Sequence, residues 1–280
     1  MKDESARISP TAHYTGYVWY RHGLSHPALR TPLGALLYYA VQPTNLVYGR
    51  VTGGPTLESV LLARHRAIDL QLSAAIRSGR VGQVIEIAAG LSPRGVRFVE
   101  TYPDLTYIEG DLQDMSGLKR RRLESAGALS ERHHVVYVDA LLDEGEHSLS
   151  AAATRYLDPK VGTAIITEGL IPYFDRDTVE SLWRRIAGVL SRFPSGQYLS
   201  DAYPRDEIYA FEAARAFSRA LKVFARGGVY MHHSDSESLA NALHEAGFPS
   251  VRVEPPIAFG VSPASPSTDN DILRIIDARS

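Results

Sequence analysis

Short apolar segments alternate with helical segments along most of this 280-residue chain, and this alternation limits the possible folds strongly. Five apolar segments are each followed by a stretch with helical spacing: residues 84–88, 105–109, 135–138, 162–167 and 198–200. Strands that alternate with helices in this way form a mostly parallel sheet with right-handed crossovers. Two further strands, at 251–253 and 272–276, predict an antiparallel hairpin at one edge. The sequence therefore predicts a doubly wound, mostly parallel seven-stranded α/β sheet with an antiparallel last strand and a helical cap.

The remaining segments predict additions to one domain that spans the whole chain. Residues 1–55 are rich in Tyr, His, Pro and Gly and have weak periodicity, which predicts a cap or lid of short helices and loops. Residues 56–204 form the predicted core. Residues 205–234 predict a helical cap insertion with a long helix over 207–226, and residues 235–280 supply the last helix and the edge hairpin.

The composition excludes several classes of partner and site. The formal net charge of −2 gives no indication of a nucleic acid or an anionic membrane as partner. Cysteine is absent, which excludes disulfides, thiolate nucleophiles and cysteine-ligated zinc. The first residues lack the apolar stretch of a signal peptide, and no segment has the roughly 18 apolar residues of a membrane span. We therefore expect a cytoplasmic protein, either a monomer or a homodimer.

Histidine pairs and a basic run have simple structural interpretations. His133–His134 and His232–His233 have no third metal ligand at a suitable spacing, so both pairs are interpreted as surface or strand-edge residues and no metal is expected. The basic run at 119–122 is interpreted as the solvated face of a helix.

The turn after the first strand favours S-adenosylmethionine (SAM) over a dinucleotide. Dinucleotide sites use three glycines to let the backbone approach a pyrophosphate, and residues 86–91 contain one, which argues against a nicotinamide-dependent oxidoreductase. SAM has no phosphate and needs one tight turn, here Gly90. Glu86 and Ala88, which precede this glycine, are also predicted to bind the cofactor. It also needs a carboxylate at the next strand end to accept hydrogen bonds from the ribose hydroxyls, and Asp111 has that position.

Polar residues or a turn glycine follow five successive strands. In an open α/β sheet, ligands bind at the carboxyl ends of the strands. The residues at these ends are Gly90, Asp111, Asp139, Glu168 and Asp201. Strand-end loops are often polar, so this pattern favours a site at that edge without identifying the ligand.

The order of these segments resembles the leucine carboxyl methyltransferase family, including its bacterial members that methylate polyketides and other small molecules. The matching stretches are residues 63–69, 84–91, 107–112, 139–141 and 166–174. The most specific is Glu-Gly-Leu-Ile-Pro-Tyr-Phe, which begins at position 168. The resemblance covers the core from about residue 57 to about residue 200, but not the N-terminal cap.

The resemblance implies a role for each matching residue. Arg64 would pair with the methionine carboxylate of SAM, and Glu168 would lie near its cationic methionine end. Gly90 would be the turn that approaches the cofactor, and Asp111, followed by Leu112, would accept the ribose hydroxyls. The adenine would lie against a segment of three residues: Asp139, Ala140 and Leu141.

The turn departs from the family pattern of Gly-Ala-Gly followed by Asp-Thr-Arg. This chain has Ala88-Ala89-Gly90 followed by Ser92-Pro93-Arg94. Alanine at position 88 is compatible with the turn if its φ is negative. Pro93 predicts the first turn of a helix, with Ser92 as its cap. We interpret these changes as subfamily variation.

The methyl acceptor is expected between the core and the cap. Four tyrosines are predicted to bind it: Tyr17, Tyr20, Tyr173 and Tyr203. A carboxylate acceptor is already ionised at pH 7, whereas a phenol with a pKa near ~10 needs a base. Three cap histidines are candidates for that base, or for orienting the acceptor: His13, His22 and His26.

Together, these observations predict a SAM-dependent O-methyltransferase that acts on a carboxylate or hydroxyl of a small, polyketide-like metabolite. Two alternatives remain open. The acceptor could be the C-terminal carboxylate of a peptide or protein, or the chain could bind SAM as a regulatory subunit without catalysing transfer.

Overall fold

The computed structural model describes residues 2–52, 55–206, 230–262 and 272–280. Its centre is a seven-stranded sheet with the order β3-β2-β1-β4-β5-β7-β6. The strands are β1 Gln83–Ile87, β2 Thr106–Asp111, β3 His133–Tyr137, β4 Thr163–Thr167, β5 Gly196–Ala202, β6 Ser250–Glu254 and β7 Arg274–Arg279. β1 to β5 pair in parallel, and β7 runs antiparallel between β5 and β6. The predicted fold class is confirmed, and the strand order reverses between β1 and β4.

Helices cover both faces of the sheet. The helices of the described ranges are α1 Lys2–Arg21, α2 Pro32–Thr52, α3 Leu57–Arg77, α4 Arg94–Thr101, α5 Gln113–Ser125, α6 Leu149–Tyr156, α7 Arg176–Leu190 and α8 Ser236–Glu245. Short 3-10 helices lie at Pro27–Leu29, Ile171–Tyr173 and Pro256–Phe259. One face packs α3 and α4 around Ile68 and Phe98, and the other packs α6, α7 and α8 around Trp183. None of the described helices combines the length and hydrophobicity that a membrane crossing needs.

The N-terminal segment differs from the prediction of short helices and loops, because α1 and α2 are long helices. Tyr14, Tyr17 and Val18 are buried at a helical spacing of three and four residues. The Tyr17 ring packs against Tyr38 of α2, with the centroids 5.3 Å apart. The prediction was wrong because tyrosine was counted with loop-forming residues, although here it supplies the apolar side of both helices.

The predicted subdivision of the domain stays a prediction. The long helix predicted over residues 207–226 lies outside the described residues. The predicted edge hairpin is confirmed by the antiparallel pairing of β6 with β7, although residues 263–271 between them are also outside the described ranges.

Candidate functional site

A cavity lies at the carboxyl ends of β1 and β4, where the strand order reverses. Its base is formed by the turn at 88–92, Arg64 of α3, Glu168, and residues 169–170 and 173. Helix α1 covers it with four residues: Thr11, Ala12, Thr15 and Trp19. The cavity measures about 60 Å³.

The turn after β1 has a strained backbone. Ala88 has a φ of 52° and Gly90 a φ of 48°. The requirement for a negative φ at position 88 is therefore not met, because this alanine adopts the left-handed conformation that glycine tolerates better. A Cβ on Gly90 would lie 3.1 Å from the Cβ of Ala12, so the turn and α1 are in close contact.

Replacing Ala88 by glycine is expected to stabilise the fold modestly. The left-handed conformation costs alanine about 1–2 kcal/mol, and the greater chain entropy of an unfolded glycine offsets about 0.5–1 kcal/mol of that relief. Urea denaturation of Ala88→Gly should show a free energy of unfolding up to about 1 kcal/mol higher than that of the wild type. A loss of stability would mean that the Ala88 methyl group makes packing contacts worth more than the strain.

Asp111 closes the same turn from the end of β2. Its Oδ2 accepts a hydrogen bond from the Gly90 backbone N–H at 2.7 Å, and its Oδ1 accepts one from Leu112 N–H at 2.7 Å. Burial raises the pKa of Asp111 to about 6, although these two hydrogen bonds act in the opposite direction. Each carboxylate oxygen has a second lone pair, so the side chain can still accept hydrogen bonds from a ligand.

The predicted adenine segment follows β3. Asp139 is half-buried, and its Oδ1 accepts a hydrogen bond from Leu141 N–H at 3.0 Å. Ala140 is buried beside the sheet, and Leu141 is half-buried. These residues lie at the carboxyl end of the strand next to β2, so the structure places them on the same edge of the sheet as Asp111.

Arg64 is held in the cavity wall by two buried carboxylates. Its Nε donates to Glu168 Oε1 at 2.9 Å, and its Nη1 lies 3.4 Å from Asp201 Oδ2. Asp201 also accepts a hydrogen bond from Gly169 N–H at 2.6 Å. Gly169 has a φ of 68°, and a Cβ there would lie 2.7 Å from Arg64 Nη2, so only glycine fits beside the guanidinium. The strand-end carboxylates thus set the position of the cation.

Arg94 is the centre of a buried ionic network that the sequence analysis did not assign to the site. It is fully buried and donates to Asp69 Oδ1 at 2.6 Å, to Glu168 Oε2 at 2.5 Å and to Glu86 Oε1. The other oxygen of Glu86 accepts a hydrogen bond from Tyr107 at 2.7 Å. Glu86 lines the cavity, but both of its oxygens are engaged by the protein. In the sequence, only the departure from the family pattern at Ser92-Pro93-Arg94 pointed to this network.

The start of α4 corrects a detail of the prediction. The helix begins at Arg94 with Pro93 as the N-cap residue, and no side chain caps it in the usual way. The Ser92 hydroxyl instead accepts a hydrogen bond from Arg94 N–H at 3.3 Å. Ser92 therefore stabilises the turn that positions Arg94 in the network.

His65 connects this network to the cap. Its Nδ1 lies 2.9 Å from Glu168 Oε2 and its ring packs against Trp19 of α1, with centroids 4.6 Å apart. Glu168 is therefore contacted by Arg64, His65 and Arg94, and the nearby positive charges hold its pKa well below the usual range. This carboxylate stays ionised and is unsuited to act as a base at neutral pH.

The three candidate histidines lie outside the cavity, in contacts that hold the cap together. His13 Nδ1 lies 2.9 Å from the Thr31 hydroxyl, and burial lowers the pKa of His13. His22 pairs with Glu58 at the surface, and His26 Nδ1 accepts a hydrogen bond from Ala28 N–H at 3.1 Å. Their assignment to the acceptor stays a prediction, and the structure gives each a structural partner.

The four candidate tyrosines separate into two groups. Tyr173 lines the cavity, and Tyr203 lies beside Asp201 and Arg64, where burial raises its pKa. Tyr17 and Tyr20 instead belong to the aromatic cluster between α1 and α2. The structure thus brings two of the four to the site.

A second buried cluster corrects the interpretation of Lys119, whereas Arg120 and Arg121 of the same basic run are exposed as predicted. His133 begins the edge strand β3, but it is buried and not on the surface. His133 is 2% exposed and its Nε2 lies 3.3 Å from Glu109 Oε2. Lys119, 1% exposed, lies 2.9 Å from the same oxygen, so it is not on a solvated face. Lys119 and His133 lower the pKa of Glu109 to about 2. His233 is also buried, against Trp183.

The donor set at the cavity fits SAM. Asp111 offers a carboxylate at the end of β2, Gly90 offers backbone without a side chain, and Arg64 offers a fixed cation in the wall. These groups suit the ribose hydroxyls, the closely approaching methionine chain and the carboxylate of SAM, respectively. Each assignment of a residue to a part of the cofactor stays a prediction.

Comparison with known proteins agrees with this geometry. A Mycobacterium tuberculosis protein named as a SAM-dependent methyltransferase is 32% identical over 106 residues, which cover 38% of this chain and 34% of that protein. Leucine carboxyl methyltransferase 1 of Eremothecium gossypii is 23% identical over 163 residues, 52% of this chain and 49% of that one. The chain thus spans about a third to a half of the length of these curated relatives.

The fold and the family follow from two further matches. A DUF574 family protein from Streptomyces avermitilis has a solved structure with a TM-score of 0.63, 12% identity, and coverage of 96% of this chain and 97% of that one, which shows the fold. The sequence profile described as leucine carboxyl methyltransferase matches residues 40–187, which is more than half of the chain. The chain therefore belongs to the leucine carboxyl methyltransferase family.

Proposed function

We propose that this protein is a SAM-dependent O-methyltransferase whose acceptor is a carboxylate or hydroxyl of a small, polyketide-like metabolite. The observation that carries this proposal is the cavity at the strand-order reversal. Arg64 of α3 is fixed in its wall by Glu168, and the half-buried Asp111 at the end of β2 accepts a hydrogen bond from the Gly90 N–H of the cavity turn. When bound, SAM supplies an electrophilic methyl group. The protein's own contribution is alignment and a dry pocket, which α1 provides by covering the cavity.

The lining of the cavity favours a carboxylate acceptor over a phenol. Among the described lining residues there is no histidine, and the two carboxylates, Glu86 and Glu168, are both paired with arginines. A phenol needs a base to take its proton, whereas a carboxylate with an ordinary pKa near ~4 is ionised without help. We therefore place the methyl ester ahead of the methyl ether as product.

A transfer assay with methyl-labelled SAM tests this proposal. The purified protein is incubated with a panel of small aromatic carboxylic acids and, separately, with phenols of similar size. The expected product is an ester, from which mild alkali releases the label as methanol. An alkali-stable product would place transfer on a hydroxyl, and SAM binding without any transfer across both panels would support a regulatory subunit instead.

Methylation of a peptide or protein C-terminus is the second candidate. It is supported by the name of the Eremothecium gossypii relative, and it uses the same carboxylate chemistry. Short peptides with a free C-terminus, compared with the same peptides carrying a C-terminal amide, distinguish it from the small-molecule proposal. Labelling of the free form alone would favour the peptide acceptor.

The pKa of Asp111 predicts that SAM binding weakens in acid. Burial raises this pKa to about 6, and the carboxylate accepts hydrogen bonds from both ribose hydroxyls most strongly when it is ionised. Titration with S-adenosylhomocysteine should therefore give a Kd that rises almost tenfold per pH unit below pH 6. Asp111→Asn should bind more weakly at pH 7 and lose this dependence, and an equally steep profile in that variant would assign the effect to another group.

The same pKa has the opposite effect on the stability of the ligand-free protein. Because the folded-state pKa lies above the ordinary aspartate value of 3.8, the ionised form is disfavoured by folding. The protonated Asp111 side chain therefore contributes to the stability of the fold. This contribution is complete below pH 4 and is lost as the pH rises through 6. Relative to Asp111→Asn, the ligand-free wild type should therefore become less stable over this range while its cofactor affinity increases.

A further inference from the structure

Trp19 contributes a buried hydrogen-bond donor to the cavity wall. Its side chain is 5% exposed and lies on the cavity side of α1, where the ring packs on His65. Among the residues that the structure describes, the indole Nε1–H has no acceptor. Buried tryptophan N–H groups usually have a partner, because leaving one unpaired costs free energy.

The second tryptophan of the chain shows the usual arrangement. Trp183 is fully buried on the other face of the sheet, and its Nε1–H donates to the Tyr198 hydroxyl at 3.2 Å. The two side chains therefore differ in whether the indole N–H has a hydrogen-bond partner. The N–H of Trp183 is paired within the fold, whereas that of Trp19, a residue that lines the cavity, has no partner among the described residues.

The protein groups around this cavity do not supply the missing acceptor. Glu168 accepts from Arg64 through Oε1 and from His65 and Arg94 through Oε2. Glu86 accepts from Arg94 and from Tyr107. None of these carboxylate oxygens is a hydrogen-bond partner of the indole N–H, and both Arg64 and the indole N–H can only donate. Two donors on a shared cavity, one of them charged, suit an anionic oxygen of a ligand.

We propose that Trp19 is a binding residue for the carboxylate of the bound cofactor, with its indole N–H donating to that group beside Arg64. The inference rests on the proposed function, since the methionine carboxylate is the anionic group of SAM. Because Trp19 belongs to α1, this hydrogen bond holds the covering helix over the cofactor. Occupancy of the cavity and closure of α1 are then coupled through one side chain.

Two ligands that differ in the amino-acid part test the inference. S-Adenosylhomocysteine carries the carboxylate, whereas 5′-methylthioadenosine keeps the adenosine and the thioether but lacks the amino-acid portion. Trp19→Phe keeps an aromatic ring and removes the N–H. Isothermal titration should show the Kd for S-adenosylhomocysteine raised about tenfold or more, and that for 5′-methylthioadenosine changed by less than about twofold.

Trp183→Phe is the matched control, because it removes an indole N–H that is paired away from the cavity. It should leave the ratio of the two dissociation constants unchanged. If Trp19→Phe raised the Kd of both ligands by the same factor, or changed neither, the role of Trp19 would be overturned and the proposed function would stay intact. A wild type that binds neither ligand would refute the proposed function, and the inference with it.

Intrinsic fluorescence gives a second test that does not depend on the folding of Trp19→Phe. The chain has two tryptophans, so Trp183→Phe leaves Trp19 as the sole indole reporter. A new hydrogen bond from the indole to a carboxylate should shift its emission to longer wavelength with S-adenosylhomocysteine but not with 5′-methylthioadenosine. Equal shifts with both ligands, or none, would contradict the inference.

Discussion

Replacing Arg94 by methionine is expected to lower the free energy of unfolding by about 3–5 kcal/mol, because it leaves buried carboxylates without their shared cation. Arg94 is fully buried and pairs with Asp69, Glu86 and Glu168 at once. Urea denaturation of wild type and variant measures the difference. Arg97→Met is the control: Arg97 also pairs with Asp69, but its side chain is 30% exposed, so its loss should cost about 1 kcal/mol or less.

The pH dependence of this difference identifies its cause. In the wild type, nearby positive charges hold the pKa of Glu168 well below the ordinary glutamate value of 4.5, so the resulting stability is present above that pH and is lost as the pH falls. Without Arg94, the carboxylates take up protons more readily, so the free energy of unfolding of the variant falls less in acid than that of the wild type. The gap between the two proteins should therefore shrink below about pH 5. A gap that stays constant with pH would assign the loss to packing instead of charge.

Replacing Asp111 by alanine is expected to weaken S-adenosylhomocysteine binding about a hundredfold or more. Two hydrogen bonds from ribose hydroxyls to a carboxylate are worth about 1.5–3 kcal/mol each, and the variant also loses the hydrogen bond that closes the turn at Gly90. Asp114→Ala, a change at an exposed carboxylate three residues further along, should leave the Kd unchanged. If the affinity of Asp111→Ala stays within about twofold of the wild type while the fold is intact, the ribose assignment is wrong.

The fold and the position of the site were predictable because they follow from local pattern. The alternation of strands and helices determines a doubly wound sheet, and in such a sheet the residues after each strand meet at one edge. Four carboxylates were placed at that edge from their spacing: Asp111, Asp139, Glu168 and Asp201. In the structure each lies within two residues of the carboxyl end of its strand. The matching motif added Arg64, which no periodicity would have identified as a site residue.

The ionic network was not predictable, because its partners are distant in the chain. Arg94 contacts Asp69 and Glu168, which lie 25 and 74 residues away, and no sequence pattern sets those pairings. Lys119 and His133 illustrate the same point. Lys119 was predicted on a solvated face and His133 at the surface or a strand edge, whereas the fold places both against the buried Glu109. The conformation of Ala88 was also not predictable from the sequence, because its φ is positive and alanine does not favour that conformation.

The central claim is that the cavity between α1 and the ends of β1 and β4 binds SAM. Isothermal titration of the purified protein with SAM, then S-adenosylhomocysteine, then NADH and NADPH tests it directly. We predict micromolar binding of SAM and S-adenosylhomocysteine and no binding of either nicotinamide. Absence of SAM binding, or binding of a nicotinamide in its place, would contradict it.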